Sequence, residues 1–159
     1  MTHGTNHQAT ATMKRPNPKS IPTSVQTTIS QNTEVLIQLF SDSIFIVITQ
    51  RAGKLGTLLR CTHEHSVIDN SHTYNVETLM GKRDDTVSEV YARQITERIV
   101  ALDNTGSGGG GSDCPPVLLG IALKEGELVD GKSGPESFHL IVDAVLKLYR
   151  EGVDKAVSS

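Results

Sequence analysis

Between Val35 and Ile48 the chain reads Val-Leu-Ile-Gln-Leu-Phe, breaks at Ser41-Asp42-Ser43, and resumes as Ile-Phe-Ile-Val-Ile. Successive side chains of a strand point to opposite sides of the sheet, so strands with apolar residues at both parities must bury both faces. Val35, Ile37 and Leu39 point one way, Leu36 and Phe40 the other, and Ile44 to Ile48 is apolar throughout. Two such strands joined by a tight turn demand a sheet covered on both sides.

The remaining elements supply one cover. Gln50 to Leu55, with Gly53, reads as a turn delivering a third strand at Thr57 to Cys61, which makes the block an antiparallel meander. Segment 62–72 is polar and reads as loop, and Tyr74 to Leu79 alternates as a fourth strand. Ser24 to Ile29 could add a short upstream pairing.

At Asp84 the period changes. Val87, Val90, Tyr91, Ile95, Ile99 and Leu102 recur at helical steps, with Thr86 and Glu89 in capping-box spacing. Pro115-Pro116 opens a buried strand at Val117 to Leu123. A second helix carries Phe138, Ile141, Val142, Val145, Leu146 and Tyr149, with Gly152 as its stop. Two helices cover one face of the sheet, and nothing else amphipathic remains for the other. That face would expose more apolar surface than a monomer tolerates, and a partner sheet is the simplest cover. The alternative is that the upstream strand and the two loops fold over it.

The expected fold class is therefore α+β: a single antiparallel β-sheet of five to six strands, two helices on one face, and the other face used for dimerisation. The interface residues expected are Leu36, Phe40, Phe45, Ile46 and Val47. Residues 1–23, rich in Thr, Asn, His and Pro, read as a disordered polar tail. Residues 24–152 form the single domain, with Gly106 to Ser112 as the core of a flexible Gly/Ser loop at 104–114, and 153–159 is a terminal tail.

Composition narrows the function. The 159 residues carry 15 Lys plus Arg against 18 Asp plus Glu, a net charge of −3, which gives no electrostatic footprint for nucleic acid or an anionic membrane. The longest apolar stretch is too short to span a bilayer. Cys61 and Cys114 make no secreted disulfide framework, which favours a reducing compartment. Cytoplasm is the expected location, with the nucleus as a second compartment. Lys14, Arg15 and Lys19 stand in an acid-free leader without the amphipathic face of a transit peptide.

Cys61, His63 and His65 alternate, with His72 nearby, so a zinc site is conceivable on one side of an extended strand. The spacing fits no established finger or ribbon, and neither His belongs to an HExxH helix. Gly53-Lys54-Leu55-Gly56-Thr57 lacks the phosphate-loop order and joins two strands, so it opens no helix N-terminus for an anion. There is no nucleophile elbow, and His139 lies beside the apolar stripe of the last helix. Asp84-Asp85 is explained by helix capping. Neither catalysis, nor a cofactor, nor a metal is expected.

Taken in order, Thr33-Glu34-Val35, Phe40 to Gln50, and Gly53-Lys54-Leu55-Gly56-Thr57-Leu58 resemble the proteasome assembly chaperone 3 family. The Tyr74 strand, the Gly81 turn, the Val87 to Leu102 helix, the Val117 to Leu123 strand and the final helix continue the match, which spans residues 33–60, 74–102 and 116–150. This resemblance implies a small α+β protein that pairs through sheet surfaces with the fourth assembly chaperone of the set, a homodimer being the alternative. It further implies help in ordering proteasome alpha subunits into the ring of the core particle. Departures from the pattern are the long polar N-terminus and the insertions at 104–114 and 125–135. Two other readings compete: a dimeric adaptor or scaffold domain of another complex, and a small zinc-dependent enzyme centred on Cys61, His63, His65 and His72.

Overall fold

A computed structural model describes residues 23–30, 32–104, 114–125, 129–132 and 134–158. The polar tail and the Gly/Ser run expected at 106–112 lie outside the described residues, apart from Thr23. The elements are β1 (Thr23–Ser30), β2 (Thr33–Leu39), β3 (Ile44–Thr49), β4 (Thr57–His65), β5 (His72–Met80), α1 (Thr86–Asn104), β6 (Val117–Ala122), a single 3-10 turn (Val129–Gly131) and α2 (Gly134–Ser158).

The strands form one six-stranded sheet in the order β1-β2-β3-β6-β4-β5. Its pairs are antiparallel except β3 with β6, which run parallel. The sheet is thus mixed, and the expected purely antiparallel arrangement is corrected. The β2–β3 hairpin is present, but β4 does not complete a meander. The last strand, β6, slots between β3 and β4 because its short, fully apolar run is the one best suited to burial on both faces: five of its six residues are buried. The upstream strand joins as a full edge strand and does not fold over a face.

Cross-strand register sorts the residues into two faces. On the helix side, Val25, Ile37, Ile46, Leu119, Leu59 and Thr78 form one row. A flanking row brings Leu39, Ile44, Val117, Cys61 and Val76 together. Ile37, Ile46, Leu59 and Leu119 are fully buried, and Ile95, Ile99, Ile141 and Val145 from the helices complete that core. Contacts of α2 fall on β1 and β2, those of α1 on β4, β5 and β6. The Tyr149 hydroxyl donates to the Asp103 carboxylate at 3.0 Å and ties the two helices together.

Both helices depart from expectation in detail. Asp85, not Thr86, caps α1: its carboxylate accepts from the Ser88 backbone N–H at 3.3 Å and the Ser88 hydroxyl at 2.7 Å. Ser88 and Thr96 are buried, while Val87 and Val90 of the expected apolar stripe are 61% and 50% exposed. In α2, Gly152 does not stop the helix, which runs on to Ser158 through the stretch expected as a tail. Gly152 is a contact point instead: a Cβ there would lie 3.2 Å from a Leu39 methyl and 3.5 Å from Val25.

Candidate partner-binding face

Open to the side opposite the helices are two continuous rows. One runs Gln26, Leu36, Val47, Gly120, Leu58, Met80, and the next runs Ser24, Gln38, Phe45, Leu118, Arg60, Glu77. Leu36, Val47, Phe45, Leu118 and Leu58 are half-buried and Met80 is 53% exposed. The centre of the face is therefore aliphatic and aromatic, and its charged strand residues, Glu34, Arg60, Glu64 and Glu77, lie around it. Strand alternation accounts for it, because Leu36, Phe45, Val47, Leu58 and Leu118 each sit one position from a fully buried core residue.

Of the five interface residues expected from sequence, Leu36, Phe45 and Val47 share this face. Phe40, half-buried, follows the end of β2 at the hairpin turn, where its N–H donates to the Ser43 carbonyl at 3.0 Å. Ile46 does not join them. It is 0% exposed on the helix side, because its side chain alternates with those of Phe45 and Val47. Residues missed by sequence reasoning are Leu58 and Leu118, whose place here depends on β6 standing between β3 and β4, and Leu55.

Leu55 belongs to the connection between β3 and β4, which must pass the end of β6. The backbone there is tightly held. Ala52 and Gly53 have positive φ of 46° and 74°, and the Lys54 N–H donates to the Arg51 carbonyl at 3.1 Å, so a primed turn reverses the chain. Gly56, at φ 67°, passes so close to β6 that a Cβ would lie 2.1 Å from the Ile121 carbonyl oxygen. Buried Gln50 donates through its amide nitrogen to the Thr33 hydroxyl at 3.1 Å and accepts from the Lys124 N–H at 3.0 Å, joining the start of β2 to the end of β6. Leu55 then lies over Gly120, where any Cβ would strike it. Together with Leu36, Phe45, Val47 and Gly53 it lines a groove of about 500 Å³ on the open face.

The four candidate metal ligands do not converge. Cys61 is fully buried in the helix-side core, where burial pushes its thiol pKa up. His63, His65, His72 and Tyr74 share one side of the projecting β4–β5 arm. The His63 and His72 rings stack at 5.1 Å and share a hydrogen bond of 2.8 Å between Nε2 and Nδ1. His65 Nε2 bonds the Asn70 side-chain oxygen at 2.8 Å. Among the described residues no group of three or more His, Cys, Asp or Glu side chains is arranged to hold a metal ion. His139 is exposed on α2.

A mixed sheet backed by two helices on one face, with an apolar second face that no described element covers, defines the class: a two-layer α+β domain. The family model described as Proteasome assembly chaperone 3 matches residues 46–147, more than half of the chain. The chain belongs to the proteasome assembly chaperone 3 family. Its fold is similar to that of a chain in the crystal structure described as a novel chaperone complex for yeast 20S proteasome assembly. The TM-score is 0.54 at 16% identity, covering 82% of this chain and 99% of that one. No curated protein sequence matches it.

Proposed function

We propose that this chain, a non-catalytic proteasome assembly chaperone by family, works as one half of a dimer closed through the open sheet face, with the fourth assembly chaperone as its partner. In that form it promotes assembly of proteasome alpha subunits into the ring of the core particle, in the cytoplasm and in the nucleus. The observation that carries this reading is the paired apolar rows containing Leu36, Val47 and Leu58, and Phe45 and Leu118, on the face that neither helix covers. Two such sheets stacked face to face would bury these side chains at the usual separation of about 10 Å. Family membership and the likeness to a chain from an assembly-chaperone complex support the wider role.

Paired substitutions test it. Val47→Asp places a carboxylate on the open face, so the protomer should keep its dispersed amide spectrum while the dimer is lost in sedimentation velocity. Ile46→Asp places the same carboxylate in the core and should unfold the protomer. A folded Val47→Asp variant that still pairs with the co-expressed fourth chaperone would put the interface elsewhere. If the wild-type pair fails to recover alpha subunits, the assembly role is wrong while the fold stands.

A further inference from the structure

At the end of the sheet where β6 stops, β4 begins and α1 starts, residues of 51–57, 81–88 and 121–125 line a groove of about 750 Å³. Arg51, Lys54, Lys82 and Lys124 line it, against Asp85 and Glu125. In a chain with a net charge of −3, this is a local reversal of sign. Asp85 turns its carboxylate to the start of α1, where both oxygens accept hydrogen bonds from Ser88. The same groove carries apolar side chains in Val87 and Leu123, and Val87 is 61% exposed.

The frame is preorganised. Arg51 Nε donates to the Leu123 carbonyl at 3.3 Å, which anchors the guanidinium while its Nη donors remain for a ligand. The Lys82 N–H donates to the Thr57 hydroxyl at 3.4 Å. Gly56 and Gly81 let the connections close on Ile121 and Thr57 at distances that admit no side chain. Cations beside exposed apolar side chains recognise carboxylates spaced by aliphatic residues, and the anchored Arg51 gives that recognition a direction.

We infer that this groove is a second docking site, separate from the open sheet face, which takes an acidic segment of a client protein with aliphatic residues between its carboxylates. It requires neither the dimer nor the identity of the dimer partner. Lys54 and Lys82 supply the long-range attraction, Arg51 the directional hydrogen bonds, and Val87 the apolar contact.

The test is amide chemical-shift mapping on the isotope-labelled full chain, titrated with a capped peptide of alternating Leu and Glu. Shifts should concentrate at residues 51–57, 81–88 and 121–125. The double variant Lys54→Glu, Lys82→Glu should weaken binding about tenfold or more, as should replacing the peptide's Glu by Gln. Val87→Ser should weaken it about threefold. Since the lysines are exposed, the variant's spectrum should remain dispersed, and Lys54→Gln, Lys82→Gln serves if it does not. Absence of shifts at millimolar peptide, or shifts centred on the histidine arm, overturns the inference. So does equal binding of inorganic phosphate, which would mark a small-anion site, or tighter binding of an oligonucleotide.

Discussion

Gly56 and the β4–β5 histidines show how single residues govern this protein in ways that composition hides. At Gly56 a positive φ coincides with a backbone-to-backbone approach, so neither the strain nor the clash of a Cβ can be relieved by a side-chain shift. Gly56→Ala should lower unfolding free energy by about 2 kcal/mol or more, seen as an earlier midpoint in urea. An unchanged midpoint would mean that the crossing over β6 is looser than this geometry. The histidines act through protons. Burial disfavours the His63 cation and the neighbouring His72 and His65 add repulsion, so its pKa falls below the ordinary 6.5. The folded arm then binds fewer protons than the unfolded chain. Stability from this group is complete above the unfolded value and is lost as pH falls through the window down to the folded one. Amide exchange in residues 62–75, corrected for its intrinsic pH dependence, should therefore be faster at about pH 5 than at about pH 7.5. His63→Gln should flatten the difference; an arm equally protected at both values would contradict it.

The elements are more legible than their assembly. Helical periodicity located α1, yet its exact stripe shifted, because the helix turned Ser88 and Thr96 inward and Val87 outward. Thr96 is buried with its hydroxyl donating to the Ala92 carbonyl at 2.8 Å, so its polar group costs little. The cap moved by one residue for a related reason: Asp85 reaches both donors of Ser88. Asp85→Ala should cost about 1 kcal/mol, measurable by thermal or urea unfolding, whereas Thr86→Ala should cost far less. Equal losses would restore Thr86 as the cap. In the arm, sequence polarity suggested a loop over 62–72, but strands continue to His65 and resume at His72. Hydrogen bonds from Ser66 and Ser71 hold the Asp69 carboxyl down to about 2 and close the turn. Val67 and Ile68 are left 85% and 94% exposed at its tip.

For the molecule as a whole, the decisive fact is that β6 joins two halves that do not otherwise pair. On one side stand β1, β2 and β3, on the other β4 and β5, and the late strand bridges them. A chain ending at Asn104 should therefore fail to fold cooperatively, giving a collapsed amide spectrum and no thermal transition, although it retains five of the six strands. A sharp transition in that fragment would show that the bridge is dispensable. Local sequence was enough to locate both helices and most of each strand, and to show that the central strands carry apolar residues on both faces. Those properties follow from periods of two and of three to four residues within a single segment. Strand order, the parallel β3–β6 pair, the use of Gly152 as a contact, and the meeting of Leu58 and Leu118 with Phe45 and Val47 were settled only by the tertiary structure. Each depends on which segment distant in sequence comes to lie alongside, and a local hydrophobic period is the same whichever neighbour arrives.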